Sequence, residues 1–332
     1  MTGQTGHSGL DRTNTESEQD SDAEAPAVTF PPTIAAINQK GGVGKTTVAI
    51  NLAGALNERG HDVLFVDLDP QGNATEGLGL AEAFEAQPPS LYDALTDAQQ
   101  RSVTPELIHP HPDGEMDVLP ANIDMATIEA DLTVTRRAGE QLSLALAEVH
   151  QLTDEQRTER MREGTRAPYD FVIVDCPPNL GHMTDNALFA ARNIVIPALA
   201  EGTSQRAIEL MNDYLAQIEH EYDIGIRERA LVANRVEATA VADDMLEYFE
   251  AASAKAFGDI PVYEVRKRVA LQRAADAGVS LFAYDPEDRK PNRDMRAVFD
   301  DLAAGLEASF ADDNMGVQSE VTATSESEGD AQ

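Results

Sequence analysis

The stretch "INQKGGVGKTT", residues 37–47, continues the short apolar run "TIAAIN" at 33–38 and contains three glycines. A glycine-rich loop between a buried strand and a helix directs its backbone N–H groups to one point, and the helix N-terminus adds partial positive charge there. Gly41, Gly42 and Gly44 allow backbone conformations that side chains forbid. The stretch therefore predicts a phosphate-binding loop between a strand and a helix.

Two lysines lie in this loop, although the whole chain has only five lysines against twenty arginines. Lys45 can reach the β- and γ-phosphates of a nucleotide, and the Thr46 hydroxyl can bind the Mg²⁺ that bridges them. ATP and Mg²⁺ are therefore the expected cofactors. The standard P-loop pattern gives Lys40 no role, and it places a glycine where this chain has Gln39.

Further apolar runs separated by helical patterns recur along the chain. Continuous apolar runs are typical of strands buried on both faces of a sheet. The runs are "DVLFVDLD" (62–69), "FVIVDCPP" (171–178), "NIVIPAL" (193–199) and "RALVANRV" (229–236). Their alternation with helical patterns predicts an α/β fold, a single P-loop domain with a mostly parallel twisted sheet flanked by helices on both faces.

Charge and composition divide the chain into a domain and two tails. The net charge is −34, from 59 acidic and 25 basic residues, and residues 28–310 alone have a net charge of −23. Segments 1–28 and 311–332 are acidic, polar and poor in large apolar residues, which predicts disordered tails around a domain at 29–310. Within the domain, 153–166 has four acids and four arginines and is expected to be a charged insertion, as a solvated helix or loop.

The acidic, lysine-poor composition favours a protein from a salt-rich cytoplasm, since molar salt screens the self-repulsion of such a charge. An ordinary acidic protein is the alternative, but it leaves the shortage of lysine unexplained. Cys176 is the one cysteine, which excludes a disulfide framework. No apolar run approaches the length of a membrane span, so we expect a soluble, cytoplasmic protein.

The loop resembles a known variant of the P-loop. "KGGVGKTT" (40–47) matches the signature of the deviant Walker-A ATPases, whose signature lysine reaches across a dimer to the partner's nucleotide. The resemblance implies that Lys45 serves its own ATP and that Lys40 serves the ATP of the other subunit. It assigns nucleotide binding to Lys40, Gly41, Gly42, Val43, Gly44, Lys45, Thr46 and Thr47.

Within those ATPases, the chain is most similar to the ParA/Soj-type partition proteins. "DLDPQGNAT" (67–75) looks like their second motif, "VDCPPNLG" (174–181) like their Walker-B strand end, and "LPANIDMATIEADL" (119–132) like a further typical segment. The group's pattern has a serine where this chain has Asn179. The likeness covers about 33–310. It implies an archaeal partition ATPase if the halophilic origin holds, with an ATP-state homodimer, non-specific double-stranded DNA, a ParB-type partner that stimulates slow hydrolysis, and nucleoid association.

Four polar residues at predicted strand ends are candidates for the chemistry of phosphoryl transfer, which needs a metal and a positioned water. Asp175 is expected to hold Mg²⁺ through water as the Walker-B carboxylate. Asp69 is the candidate that orients or activates the attacking water. Asp67 is a supporting partner or a capping residue. Asn234 matches the family position whose amide contacts adenine, and an ordinary strand-end turn is the alternative.

A DNA-binding surface has to be a local basic patch, because the domain as a whole repels phosphate. The candidate is "VRKRVALQR" (265–273), with Arg266, Lys267, Arg268 and Arg273, and it aligns with a family segment that carries a DNA-contacting arginine. This chain has Arg266 where that segment has proline. The alternative is a solvated helix start that balances nearby acids.

Other functions fit the residues less well. A MinD-like ATPase that positions cargo without DNA needs a basic amphipathic C-terminal helix to reach lipid, whereas this chain ends in an acidic segment. An iron–sulfur carrier needs paired cysteines, and Cys176 is expected to be a packing residue. A non-enzymatic scaffold is the third alternative. His109 and His111 suggest a metal, but an exposed proline turn explains them better.

Overall fold

A computed structural model describes residues 30–329 except 203 and 285–289, without the side chains of 290 and 314–329. The expected N-terminal tail, 1–28, lies outside the described residues. One sheet runs through the described part. Its strands are β1 (Thr33–Ala36), β2 (Val63–Asp67), β3 (His109–Pro110), β4 (Asp117–Leu119), β5 (Phe171–Asp175), β6 (Asn193–Leu199), β7 (Arg227–Val236) and β8 (Val262–Arg266). Their order is β3-β4-β2-β5-β1-β6-β7-β8, and only β3 is antiparallel to its neighbour.

Helices lie between the parallel strands, because two parallel neighbours need a crossover connection. They are α1 (Lys45–Glu58), α2 (Asn73–Gly77), α3 (Ala81–Phe84), α4 (Leu91–Thr96), α5 (Thr104–Leu107), α6 (Ile128–Leu132), α7 (Gln141–His150), α8 (Asp154–Arg160), α9 (His182–Ala191), α10 (Ser204–Tyr222), α11 (Ala240–Ala256), α12 (Val269–Asp276) and α13 (Lys290–Gly329). Short 3₁₀ turns occur at Arg101–Val103, Ile123–Thr127 and Ala138–Glu140.

The sheet separates two apolar layers, which confirms the predicted α/β architecture. On one face, Leu52 of α1 and Phe299 of α13 are fully buried in a cluster with strand residues such as Phe65. On the other face, α9 and α10 bury Leu188 and Met211 against the same sheet. The central strands are buried along their whole length because helices cover both faces, and this explains their continuous apolar runs.

Three strands lie outside the predicted set, and all are near the edges of the sheet. β4 has only three residues, β3 contains Pro110 at an edge position where a missing N–H is tolerated, and β8 mixes polar with apolar residues. The expectation of an exposed proline turn is wrong for His111. This side chain is buried, and its Nε2 lies 2.9 Å from the Gly278 carbonyl oxygen.

The last helix passes the predicted domain end at residue 310. α13 continues to Gly329, through most of the segment expected to be a disordered tail. The side chain of Asp313 pairs with Arg227 and Arg229 of β7, so contacts with the sheet hold the helix beyond that boundary. The segment 153–166, expected to be a charged insertion, contains α8, a helix without buried residues that begins at a Thr153 capping box.

Candidate nucleotide-binding site

Three neighbouring strands bring the predicted site residues to one edge of the sheet. β5 lies between β1 and β2, and the register pairs Asp175 at the end of β5 with Asp67 at the end of β2. On its other side, Asp175 pairs with Ala36 at the end of β1, directly before the glycine loop. The carboxyl ends of parallel strands form the ligand-binding edge of such sheets. The loop and the three aspartates Asp67, Asp69 and Asp175 therefore meet, as the sequence predicts.

The glycine loop has the backbone conformation of an anion cradle. Gly42 has φ 73° and Gly44 has φ 93°, in the left-handed region that favours glycine. Gly44 is the N-cap of α1, which has no acidic residue in its first turn. The positive end of the helix dipole therefore faces the loop with no carboxylate in the helix's own first turn, as phosphate binding favours.

Asn234 at the end region of β7 supports this loop from the side. It is buried, its Nδ2 donates to the Val43 carbonyl oxygen at 2.8 Å, and its Oδ1 accepts from the backbone N–H of Arg235. A Cβ atom on Gly44 would lie 1.9 Å from Asn234 Nδ2. Gly44 is thus required twice, for its backbone conformation and for this close approach. Contact between Asn234 and adenine stays a prediction.

Lys45, the first residue of α1, is 6% exposed and lies close enough to Asp175 and Asp69 to interact with their charges. Burial lowers the pKa of its ammonium group, while Asp175 and Asp69 oppose that change. A buried ammonium group that is only partly compensated gains from an incoming anion. The side chain is therefore suited to a phosphate oxygen at the mouth of the cradle.

Asp175 has the features of a metal-supporting carboxylate. It is fully buried, and neither oxygen makes a hydrogen bond of good geometry with any residue that the structure describes. Burial and the nearby Asp67 raise its pKa well above the ordinary value, although the Thr46 hydroxyl is close enough to oppose this. An orphaned buried carboxylate beside a hydroxyl group fits a cation. Thr46 and Asp175 are thus the residues that would hold Mg²⁺.

No group of three or more His, Cys, Asp or Glu side chains in the described ranges has the arrangement of a metal site. Mg²⁺ that binds together with a nucleotide needs only one or two protein ligands, because phosphate and water oxygens complete its octahedron. The few ligands at Thr46 and Asp175 are consistent with that kind of site. When bound, the ion would neutralise charge on the phosphates.

Asp67 shapes the loop that carries Asp69. Its Oδ2 accepts from the backbone N–H and the hydroxyl of Thr75 in α2, at 2.8 and 2.7 Å, and its Oδ1 accepts from the Asp69 N–H at 3.1 Å. Burial raises the pKa of Asp67 to about 6, although these hydrogen bonds act to lower it. This agrees with the capping role that was one expectation for Asp67. Asp69 itself is 8% exposed, and its Oδ1 accepts from the Gln71 N–H at 3.0 Å.

Lys40 lies at the rim of the cradle rather than in it. Its side chain is 30% exposed, and its Nζ is 3.6 Å from Oε2 of Glu201, in the turn after β6. Cys176 is buried beside Asp175, and burial raises the pKa of its thiol, so it is a packing residue as expected.

The predicted DNA patch adjoins the nucleotide cradle. A cavity of about 550 Å³ is lined by Thr47 of the loop region, by Asn234, and by Arg266, Lys267 and Arg268. Two of these cations are already paired within the chain, Arg266 with Glu264 and Lys267 with Glu237, each at 2.7 Å. Arg273, in the last turn of α12, is exposed and does not line this cavity.

Sequence reasoning missed two acidic residues near the site. They are Glu201 and Glu129, and Glu129 belongs to α6. The Glu129 carboxylate accepts from the backbone N–H groups of His182 and Met183 at 2.9 and 3.2 Å. It therefore caps the start of α9, the helix that follows Asp175 and β5 along the chain. The similarity of segment 119–132 to a typical family segment marked the region of Glu129, but no local pattern indicated its partner.

These features define a P-loop nucleotide-binding protein, and comparison with known proteins identifies its family. Residues 32–227 match the family described as an AAA domain. The sporulation initiation inhibitor protein Soj of Bacillus subtilis is 31% identical over 261 residues, which are 77% of this chain and 92% of Soj. The chromosome partitioning protein ParA of Caulobacter vibrioides is 32% identical over 267 residues, 76% of this chain and 86% of that protein.

One similar solved structure holds the ligands that the site is suited to. Cobyrinic acid a,c-diamide synthase from Mycobacterium smegmatis, with bound ATP analog and magnesium, is 25% identical with a TM-score of 0.62, over 85% of this chain and 96% of that one. The present chain belongs to the ParA/Soj-type partition ATPases of the AAA-domain family. No helix in its described part has the length and apolar content to cross a membrane.

Proposed function

We propose that this protein is an ATP-dependent dimeric switch that hydrolyses ATP slowly with Mg²⁺, binds DNA non-specifically in its ATP state and acts in chromosome or plasmid partition. A ParB-type partner stimulates hydrolysis, and the protein associates with the nucleoid. The observation that carries the proposal is a complete phosphate cradle with a second lysine, Lys40, at its exposed rim. The relatives named for partition support the biological role.

Each residue of the site has a separate role in this proposal. Lys45 and the loop N–H groups bind the β- and γ-phosphates, Thr46 and Asp175 support the metal, and Asp69 orients the attacking water. Lys40 reaches the phosphates of the partner subunit, so that each site is complete only in the dimer. Charge neutralisation on the transferred phosphoryl group then depends on dimerisation, and this makes the ATP state a switch.

Lys40→Ala tests the switch directly. We expect the variant to lose the ATP-dependent dimer, because it lacks the side chain that is proposed to reach the other subunit, while a single subunit still binds nucleotide through Lys45 and the loop. Light scattering with and without Mg-ATP measures the dimer, and fluorescence titration with an ATP analogue measures binding. A Lys40→Ala protein that dimerises with ATP as wild type does would refute the switch.

The alternative of a MinD-like ATPase that acts without DNA predicts a different result for the same preparation. Wild type would then dimerise with ATP but leave duplex DNA unbound at every salt concentration. Gel shifts in ATP and in ADP distinguish the two functions.

A further inference from the structure

The single subunit already provides a partner for the lysine that has to reach the other subunit. Lys40 Nζ lies 3.6 Å from Glu201 Oε2, and the two side chains are 30% and 61% exposed. Neither residue belongs to the chemistry of its own cradle, because Lys45 and Asp175 supply the buried charges there. Nucleotide binding within a single subunit therefore does not explain this ion pair.

The backbone holds both residues of this pair to the same strand end. The Lys40 N–H donates to Asn38 Oδ1 at 2.9 Å, and Asn38, 1% exposed, donates from Nδ2 to the Pro197 carbonyl oxygen in β6 at 2.8 Å. Glu201 follows β6 in a tight turn, in which its N–H donates to the Leu199 carbonyl oxygen at 2.8 Å. These hydrogen bonds, of which the one from Asn38 to Pro197 is buried, keep the backbone of Lys40 and of Glu201 near the same strand end, so the fold itself brings the two side chains within reach of each other.

We infer that Glu201 is a positioning residue that holds Lys40 within its own subunit, so that ATP-driven dimerisation has to break this pair twice, once in each subunit. The inference rests on the proposed function, since it concerns the step at which Lys40 crosses to the partner's nucleotide. In the single subunit, Glu201 holds the lysine at the rim. In the dimer, the triphosphate of the partner replaces the carboxylate as the counter-charge.

The pair is exposed, so its effect is modest and depends on salt. Exposed ion pairs contribute between nothing and about fivefold to an equilibrium, and about twofold is a reasonable central value. Because a dimer releases two pairs, about twofold for each subunit becomes about fourfold in the dimer dissociation constant. At molar salt the Debye length falls to about 3 Å and the effect disappears.

The test is Glu201→Gln, which keeps the size of the side chain and removes its charge. Dimerisation with Mg-ATPγS, which avoids turnover, is followed by sedimentation over a range of protein concentrations at 0.1 M and at 3 M KCl. We expect the variant to dimerise at about fourfold lower protein concentration than wild type at 0.1 M KCl, and at the same concentration as wild type at 3 M. The matched control is Glu209→Gln, which breaks a comparably exposed pair with Arg206 on α10 and should leave dimerisation unchanged at both salts.

Each other result overturns the inference. If Glu201→Gln dimerises as wild type does or more weakly at 0.1 M KCl, Glu201 does not restrain Lys40. A gain that persists at 3 M KCl, or one that Glu209→Gln shares, indicates a structural effect rather than release of a charge pair. If wild type itself forms no dimer with ATPγS, the proposed switch fails first and the inference fails with it, so the two failures are distinguishable.

Discussion

Asp69 and Asp175 are two carboxylates of the same site, and their surroundings suit them to different tasks. Asp175 is fully buried with no hydrogen bond of good geometry among the described residues, which suits it to the proposed role of supporting a cation. The backbone N–H of Asp69 donates a hydrogen bond to Asp67, which holds the loop in place, and Asp69 Oδ1 accepts a hydrogen bond from the Gln71 N–H. A carboxylate whose loop is held in place, and whose oxygens can accept further hydrogen bonds, is suited to position a water molecule.

We therefore predict that Asp69→Asn binds ATP and forms the ATP dimer but hydrolyses ATP at least about 100-fold more slowly, because removing a positioned base typically costs two to four orders of magnitude. Asparagine keeps an acceptor for the Gln71 N–H, so the loop is preserved. Phosphate release and light scattering give turnover and dimer in the same sample. Turnover equal to that of wild type would show that another group positions the water.

At the scale of elements, Arg229 of β7 joins the sheet to α13. The Arg229 guanidinium contacts Asn193 Oδ1 at 2.8 Å, the Ser309 hydroxyl, the Asp313 carboxylate and the face of the Phe310 ring. Its side chain is 9% exposed. Because a buried guanidinium group that loses a partner keeps its desolvation cost, the helix and the strand stabilise each other beyond the expected domain end.

Asp313→Asn should lower the free energy of unfolding by about 1–2 kcal/mol, since it removes the charge that pairs with Arg227 and Arg229. Although burial acts in the opposite direction, the two guanidinium groups lower the pKa of Asp313. A lowered carboxylate pKa stabilises the fold above the unfolded value of about 4 and ceases to do so as the pH falls through the folded value. Urea unfolding at pH 7 and at pH 3 measures both effects, with the exposed neighbour Asp312→Asn as control. An equal loss of unfolding free energy in the two variants would contradict a stabilising role for the pairing of Asp313 with Arg227 and Arg229.

For the whole molecule, net charge opposes the proposed DNA binding. The chain has 59 acidic and 25 basic residues, so any attraction to phosphate is local. Arg266 and Lys267 form ion pairs with Glu264 and Glu237, so DNA bound at the proposed patch would have to replace these carboxylates. In the proposed function, one such patch would bind weakly at high salt, and an ATP dimer that presents two patches would gain from their joint attachment.

We predict sequence-independent duplex binding that requires ATP and falls with a log–log salt slope of about −3.6 if four phosphates are contacted. Arg273 is the most informative residue to change, because it is exposed on α12 and its side chain does not line the cavity beside the cradle. Arg273→Ala should reduce the slope by about 0.9 with dimerisation retained. Gel shifts across a salt series measure the slope, with Arg206→Ala on α10 as the matched exposed arginine. An unaltered slope in Arg273→Ala removes α12 from the DNA surface.

The sequence by itself determined the α/β class, the glycine cradle and the roles open to Lys45, Thr46 and Asp175. Those features depend on local patterns, namely apolar runs that end at glycines, hydroxyls or carboxylates, and local patterns are visible in a linear chain. Tertiary structure alone decided which distant groups meet. Asn234 donates to a carbonyl 191 residues away, and Asn38 to one 159 residues away, so neither contact has a local signature. Short or interrupted edge strands such as β4 and β8 likewise have too few residues for a clear period, and their pairing depends on the neighbours that the completed sheet supplies.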